Sequence, residues 1–248
     1  MDNLTKQAPS NTLFSKIVTA NSKTMTSENP SMSSRNEKIP APLHLYLIRH
    51  GETEWAVSGR HTGSTDIPLT TNGEKEAREL GRHIRDIAFA QVLCSPLKRA
   101  RRTCELAGLD QVAEIEPDLA EWAFGDFEGL HLAEILKIHP GWDVLVDGCP
   151  NGEMPEQILK RTDRLIARLR NLTGNVALFS HGKFGGILAA RWIGLPITAS
   201  CHFPLGTASL SKLGYDHRHT DVPVIDLWNE VGHKTGEFLK LADTLQKG

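Results

Sequence analysis

The stretch LYLIRHGETEW, residues 45–55, decides the fold. It continues an apolar run that begins at residue 43, and residues 43–48 have the length and composition of a strand that is covered on both faces. Arg49, His50 and Gly51 stand directly after this run. Burying an unpaired charge costs far more than burying a leucine gains. An arginine and a histidine at this point therefore indicate an anion site where the strand ends.

A second apolar run ends in the same way. VALF, residues 176–179, leads into Ser180, His181 and Gly182. The carboxyl ends of parallel strands share one edge of a sheet, so we expect His50 and His181 to meet there. A single histidine at a strand end more often has a structural role, but two at equivalent positions, one of them beside an arginine, favour catalysis.

Further strands and helices alternate along the chain. Thr71 and Glu74 have the spacing of a capping box, and Ser95-Pro96 is typical of an N-cap followed by proline at the first helical position. We predict strands at residues 91–94, 112–115, 208–213 and 222–228, helices at 71–87, 97–107, 131–138, 155–172 and 183–193, and a loop at 49–69. This alternation predicts an α/β fold, a three-layer sandwich with a mostly parallel central sheet and helices on both faces.

The composition excludes several classes of protein. The chain has 248 residues, and its 28 Lys and Arg nearly balance 30 Asp and Glu, which argues against a nucleic-acid or membrane-surface partner. Its four cysteines form no CxxC pair, which favours free thiols in a reducing compartment, hence a cytoplasmic protein, and argues against zinc. No apolar run approaches the roughly 18 residues of a membrane span.

The first 42 residues differ in composition from the rest. They are rich in Ser, Thr, Asn and Lys and show no sustained apolar period. Such a segment buries too little apolar surface to offset the entropy of ordering it. We therefore predict a disordered extension at residues 1–42 and a single domain at 43–248. A start at Met25 or Met32 is the alternative.

Five motifs in order resemble the histidine phosphatase superfamily, which includes the cofactor-dependent phosphoglycerate mutases. They are RHGETEW at 49–55, TGSTDIPLT at 62–70, SPLKRARRT at 95–103, the glutamate of AEWAFGDFEG at 120–129, and SHG at 180–182. The likeness runs from about residue 43 to at least residue 213. It implies a phosphoglycerate mutase-like fold and a small phosphorylated metabolite as the partner, with no cofactor and no metal. Oligomeric state is not predicted.

The resemblance also assigns catalytic roles. His50 matches the nucleophile that becomes phosphohistidine, which requires a neutral ring whose other nitrogen is fixed by a backbone carbonyl. Arg49 and Arg99 match the arginines that grip the phosphoryl oxygens. His181 matches the second histidine, which stabilises the charge of the transferring phosphoryl group. Arg99 has a competing interpretation as a solvated surface arginine of its helix.

Glu121 matches the proton donor of the family. It would protonate the leaving oxygen and then help to activate water. Its neighbours Trp122 and Phe124 offer apolar surroundings that favour a protonated acid. Asp126 and Glu128, in the same loop, are competing candidates.

Other residues are predicted to line the site with less support from the motifs. Thr62 and Gly63 fall where family members bring backbone groups close to the phosphate, and glycine permits such an approach. Further candidates for substrate binding are Thr53, Ser58 and Gly182. Ordinary structural roles are favoured for three polar residues that could also contact substrate, namely His61, Arg161 and His202.

Hydrolysis is favoured over phosphotransfer. Mutases of this family carry an Arg-His pair directly after the catalytic glutamate and a long insertion before the second histidine. Here Trp122-Ala123 follows Glu121 instead of that pair, and the interval from Glu121 to His181 is only 60 residues. Ala56 stands where many phosphatases of the family have asparagine. Members similar to sedoheptulose-bisphosphatases also lack this asparagine, and this likeness suggests a sugar phosphate or bisphosphate as the substrate. The alternatives are a phosphoglycerate mutase, an inactive phospholigand-binding member, and a protein phosphatase with an open site.

Overall fold

The computed structural model describes residues 41–231. Its strands are β1 (His44–Arg49), β2 (Phe89–Cys94), β3 (Ala113–Ile115), β4 (Asn175–Ser180), β5 (Leu210–Tyr215) and β6 (Pro223–Glu230). Its α-helices are α1 (Glu54–Ser58), α2 (Thr71–Ile84), α3 (Lys98–Leu106), α4 (Leu132–Ile138), α5 (Val144–Asp147), α6 (Pro155–Leu169) and α7 (Gly182–Trp192). The predicted disorder of residues 1–42 and the end of the predicted domain at 43–248 lie largely outside the described residues.

All six strands form one sheet in the order β3-β2-β4-β1-β5-β6. The first four of that order run parallel, while β5 pairs antiparallel with β1 and β6 pairs antiparallel with β5. Arg49 lies beside Ser180 in the register of β1 and β4. The residues that follow these two positions therefore leave the sheet side by side at one edge.

Side chains of β1 alternate between two apolar cores, as a strand requires. Leu45 and Leu47 face the core that α6 and α7 cover, and Tyr46 and Ile48 face the core that α2 and α3 cover. The predicted three-layer α/β sandwich with a mostly parallel sheet is thus confirmed.

Local predictions failed at three helix starts. Thr70, rather than Thr71, caps α2, because its side chain accepts from the Gly73 N–H at 3.0 Å. The N-cap of α3 is Leu97, so Ser95-Pro96 does not begin this helix. Residues 54–58, predicted as loop, form α1, whose N–H groups are capped by the Thr53 hydroxyl.

Element ends also differ by a few residues from the predictions. The strand predicted from residue 208 begins at Leu210, because Ala208 has a left-handed backbone with φ of 49° that a strand does not accept. The helix predicted to residue 172 ends at Leu169. All four cysteines are free, and no helix within residues 41–231 is long and apolar enough to cross a bilayer.

Candidate active site

The two histidines meet where β1 and β4 end. Their ring centroids are 5.2 Å apart with an interplanar angle of 59°. The backbone N–H of His50 donates to the Ser180 carbonyl at 3.0 Å, which continues the strand pairing by one residue and fixes this approach. Parallel pairing of β1 and β4 thus brings the two histidines together, as the sequence pattern predicts.

His50 is buried and held in one tautomer. Its Nδ1 lies 2.7 Å from the Gly51 carbonyl oxygen, which can only accept, so Nδ1 carries the hydrogen and Nε2 carries a lone pair. Burial lowers the pKa of His50 well below its ordinary value, and the charges of Arg49 and Arg99 lower it further. His50 is therefore a neutral imidazole with a free nucleophilic nitrogen.

The backbone after His50 is tied to α3. The Gly51 N–H donates to the Thr103 hydroxyl at 3.0 Å, and that hydroxyl donates to the Arg99 carbonyl at 2.7 Å. A Cβ at Gly51 would lie 2.4 Å from the Gly73 carbonyl oxygen, so only glycine fits between β1 and α2. Thr103 and Gly51 thereby position the carbonyl that sets the tautomer of His50.

His181 is also buried, and Ser95 binds it. His181 Nε2 lies 2.7 Å from Ser95 Oγ, which also accepts from the Leu97 N–H at 3.3 Å. The Ser95 hydroxyl can donate to Nε2, and with that donation the ring hydrogen lies on Nδ1. Burial lowers the pKa of His181 well below its ordinary value, helped by the charges of Arg99 and Arg49. Nδ1 is buried and has no partner within residues 41–231.

Two arginines lie near these rings, Arg99 fully buried and Arg49 half-buried. Arg49 donates through Nη1 to the Leu205 carbonyl, and Arg99 donates through Nη2 to the Gly63 carbonyl at 2.9 Å and through Nη1 to the Thr65 carbonyl at 3.1 Å. Burial lowers the pKa of both, although a guanidinium stays charged in proteins. Loop carbonyls thus accept from both terminal nitrogens of the Arg99 guanidinium, while its Nε has no hydrogen-bond partner among the described residues.

Three buried donors lack a partner among the described residues, namely Arg49 Nε, Arg99 Nε and His181 Nδ1. A buried polar group without a hydrogen bond costs about 1–3 kcal/mol. All three donors belong to residues whose charges or rings act on one another and on His50. An anion bound beside His50 Nε2 would satisfy donors that the protein itself leaves unmatched.

Glu121 is held by backbone groups rather than by apolar side chains. Its Oε1 accepts from the Phe184 N–H at 2.7 Å and the Trp122 N–H at 3.0 Å, and its Oε2 accepts from the Lys183 N–H at 3.0 Å. Two of these donors lie at the start of α7, so the crossover from β4 to α7 positions the carboxyl group. Glu121 therefore has backbone N–H partners in addition to the apolar neighbours that its sequence position predicts.

The competing carboxylates have other partners. Asp126 is exposed and accepts from the Asn151 side chain at 3.0 Å. Glu128 accepts from the backbone N–H groups of Ser64 and Thr65, each at 2.6 Å. Glu128 thus orders the loop whose carbonyls hold Arg99, and only Glu121 of the three lines the pocket.

A pocket of about 400 Å³ opens beside these groups. The predicted residues that line it are Arg49, His50, Thr53, His61, Thr62, Glu121 and Gly182. A larger cavity of about 630 Å³, lined by Cys94, Arg102 and Ile115 among others, lies beside α3 and β3 and contains neither histidine. Chemistry, rather than size, therefore identifies the site.

Comparison with known proteins agrees with this geometry. The model of the histidine phosphatase superfamily (branch 1) matches residues 45–230. The chain belongs to this superfamily. An acid phosphatase of Mycobacterium tuberculosis is 38% identical over 187 residues, which cover 74% of this chain and 92% of that protein. The sedoheptulose 1,7-bisphosphatase of Saccharomyces cerevisiae is 35% identical over 187 residues, 62% of this chain and 69% of that protein.

A solved structure shows the same superfamily fold. The product of an open reading frame of Mycobacterium tuberculosis superposes with a TM-score of 0.71 and 36% identity, covering 77% of this chain and 98% of that one. Membership in the superfamily thus rests on sequence and on three-dimensional structure together.

Several predicted residues of this histidine phosphatase lie elsewhere. Ser58 is exposed, and its hydroxyl donates to the Glu54 carbonyl at 3.0 Å, outside the pocket. Gly63 packs under Trp122, where a Cβ would lie 2.3 Å from the Trp122 carbonyl oxygen. His202 is exposed and does not line the pocket. Gly182 does line it, and a Cβ there would lie 3.2 Å from Arg49 Nε.

Arg161 has a structural role near the site. It donates to the carbonyls of Ala120 at 2.9 Å and Glu121 at 3.1 Å, and it pairs with Glu153 at 2.6 Å. Its guanidinium also lies 4.5 Å from the centre of the Phe184 ring. Arg161 therefore braces the loop that carries Glu121.

Sequence reasoning missed Ser95, Thr103, Lys183 and Arg60. The first two act through contacts between distant segments, which no local pattern reveals. Lys183 and Arg60 line the pocket. The signal for Lys183 was its place directly after the SHG motif, and the signal for Arg60 was its place directly before His61.

Proposed function

We propose that this chain hydrolyses phosphomonoesters through a phosphohistidine on His50, without a metal ion. The observation that carries the proposal is the hydrogen bond from His50 Nδ1 to the Gly51 carbonyl, which leaves the lone pair on Nε2. The donors of Arg49, Arg99 and His181 that have no partner among the described residues, together with the charges of the two arginines, supply the charge neutralisation that phosphoryl transfer requires.

In the first step, His50 Nε2 attacks phosphorus and the bond from phosphorus to the ester oxygen breaks. The leaving oxygen takes a proton from Glu121. His181 Nδ1 and the two Nε groups of Arg49 and Arg99 donate to the phosphoryl oxygens.

In the second step, water attacks the phosphohistidine. Glu121, now a carboxylate, takes a proton from that water while the bond between phosphorus and nitrogen breaks. Inorganic phosphate leaves and His50 is neutral again. The three backbone N–H groups on Glu121 suit this carboxylate state.

Hydrolysis is favoured over mutase chemistry by the residue after Glu121. Trp122 is fully buried, and its Nε1 donates to the Glu153 carbonyl at 2.9 Å. The position where mutases carry an arginine thus holds a core side chain instead of a cation for a second phosphate. The names of the two curated relatives, an acid phosphatase and a sedoheptulose 1,7-bisphosphatase, support hydrolysis of a sugar phosphate or bisphosphate.

The partner is then a small phosphorylated metabolite. The near balance of charges supports the absence of a nucleic-acid partner. The four free cysteines support a cytoplasmic location, because such thiols persist in a reducing compartment.

Phosphate release tests the proposal. The substrates are p-nitrophenyl phosphate, sugar mono- and bisphosphates and phosphoglycerates, each with a chelator present, and the acid-quenched protein is assayed for phosphohistidine. His50→Ala should abolish turnover and phosphoenzyme together, while His217→Ala, at an exposed turn, should change neither. Residual phosphoenzyme in His50→Ala refutes the nucleophile, and interconversion of phosphoglycerates without phosphate release would establish a mutase.

A further inference from the structure

Lys183 is a cation in the pocket that the proposed reaction does not use. It is the second residue of α7, its backbone N–H donates to Glu121 Oε2 at 3.0 Å, and its side chain lines the pocket. That hydrogen bond fixes the base of the side chain beside the reacting groups.

Within residues 41–231, Lys183 forms no ion pair, although other cations near it do. Arg161 pairs with Glu153 at 2.6 Å, and Arg191, on the same helix as Lys183, pairs with Asp163 at 2.9 Å. Lys183 is half-buried, so it has lost part of its hydration without gaining a carboxylate. An anionic ligand would supply that missing partner.

The remaining lining is basic as well. Arg60, His61 and Arg49 line the same pocket, and Glu121, whose oxygens already accept three N–H groups, is the only carboxylate that lines it among the described residues. Arg49 lies beside the scissile position. Lys183 and Arg60 therefore add positive charge beyond what one phosphoryl group requires.

The charge of Lys183 acts on the pKa of His61, which lines the same pocket. Burial lowers the pKa of His61, the Leu130 carbonyl raises it, and the nearby charge of Lys183 lowers it again. His61 Nδ1 lies 3.0 Å from the Leu130 carbonyl, so it donates there and Nε2 is an acceptor. The ring stands edge-on to Phe124, with centroids 4.8 Å apart. A fixed acceptor beside an unpaired cation suits a ligand that carries hydroxyl groups and an anion.

The pocket is also larger than a phosphoryl group needs. Its volume of about 400 Å³ lies within the roughly 300–1,000 Å³ of small-molecule sites. A substrate with one anion at His50 and a second anion several bonds away can therefore fit.

We infer that Lys183 binds a second anionic group of the substrate, a phosphate or a carboxylate, at a distance from the scissile ester. This inference rests on the proposed function, because it assigns specificity within the same pocket. Lys183 is then the residue that makes the enzyme prefer substrates with two anions to simple phosphomonoesters. Arg60 contributes a further positive charge on the same ligand.

Matched substrates test the inference. Fructose 1,6-bisphosphate is compared with fructose 6-phosphate to test for recognition of a second phosphate. The substrate 3-phosphoglycerate is compared with glycerol 3-phosphate to test for recognition of a carboxylate. Hydrolysis of p-nitrophenyl phosphate reports the chemistry alone. The variants are Lys183→Met, which removes the charge, Lys183→Arg, which keeps it, and Lys160→Met, an exposed lysine of α6, as the control.

Lys183→Met should lower kcat/KM about 30-fold for the better two-anion substrate. A loss of this size corresponds to the removal of one charge-assisted hydrogen bond. For the matching one-anion substrate and for p-nitrophenyl phosphate, the loss should stay within about threefold, as for an exposed charge. Lys183→Arg and Lys160→Met should resemble the wild type. The pair that shows the larger loss tells whether the second anion is a phosphate or a carboxylate.

Equal losses on one-anion and two-anion substrates, or no loss on either, would overturn the inference. So would a wild-type enzyme that shows no preference for two anions. Failure of the proposed function has a different signature, since the wild type would then hydrolyse neither p-nitrophenyl phosphate nor any other ester and form no phosphohistidine.

Discussion

Acidification should destabilise this protein below about pH 6.5, the ordinary pKa of histidine. Burial, assisted by nearby arginines, lowers the pKa of His50 and of His181 well below that value. In the unfolded chain both imidazoles titrate normally. As the pH falls, the unfolded chain therefore binds protons that the folded protein excludes. This part of the free energy of unfolding is fully present above the unfolded pKa and is lost as the pH falls towards the folded pKa.

The size of the loss follows from the unfolded pKa. If the folded protein binds no proton at a given histidine down to pH 5.0, that histidine removes at most about 2 kcal/mol of stability between pH 7.5 and 5.0. His50 and His181 together remove at most about 4 kcal/mol on the same basis. Against a typical total of about 5–15 kcal/mol, this is a large change.

Urea unfolding between pH 7.5 and 5.0 measures the effect. Buffers without phosphate are required, because an anion bound at the site would stabilise the folded state. His50→Gln and His181→Gln should each flatten the pH dependence by at most about 2 kcal/mol over this range. His217→Gln, at an exposed turn, should leave the profile unchanged. Variants that retain the wild-type profile would refute the claim that these histidines are buried in the neutral form.

Two further predictions concern the donors at the site. Ser95→Ala should lower kcat about tenfold, because the buried His181 Nε2 would lose its donor, at a cost of about 1–3 kcal/mol, and the ring would lose its fixed tautomer. Nitrogen NMR of labelled histidine should then show His181 as a mixture of tautomers. An unchanged spectrum would contradict this prediction. Inorganic phosphate at 100 times its dissociation constant should stabilise the wild type by about 2.7 kcal/mol, which is measured as a higher Tm. Arg49→Met should remove this increase in Tm. An increase that persists in the variant would place the anion elsewhere.

The sheet and its two histidines could be predicted because the signals are local. LYLI and VALF are short apolar runs that each end in a histidine and a glycine, and parallel pairing alone brings these ends together. Alternation of strands and helices then gives the three layers. No contact between distant segments is needed for any of these steps.

The surroundings of the acid could not be predicted in this way. Trp122 and Phe124 follow Glu121 in sequence and suggested an apolar environment, but two of the three donors to Glu121 come from Lys183 and Phe184, 62 and 63 residues away. Which helix N-terminus faces a carboxylate depends on the crossover from β4 to α7. The residues next to Glu121 in the sequence do not predict that geometry.

The partners of Ser95 and Arg99 could not be predicted for a related reason. Ser95-Pro96 is a good local start for a helix, yet β2 places Ser95 at the edge of the sheet, within hydrogen-bond distance of His181. Two nitrogens of the Arg99 guanidinium donate to carbonyls of a loop that Glu128 orders through the Thr65 N–H. Both arrangements depend on contacts between distant segments.

Stability and chemistry are coupled at this site. Arg49 Nε, Arg99 Nε and His181 Nδ1 are buried without partners among the described residues, and buried donors of this kind cost free energy in the unliganded protein. The same burial keeps His50 neutral, because it penalises the charged ring. On the proposed function, a phosphoryl group that enters the pocket would remove the first cost by pairing the donors, and it would meet the neutral His50 ring that the second effect maintains. The acid sensitivity and the stabilisation by phosphate predicted above then follow from one arrangement, the burial of His50, His181 and these donors.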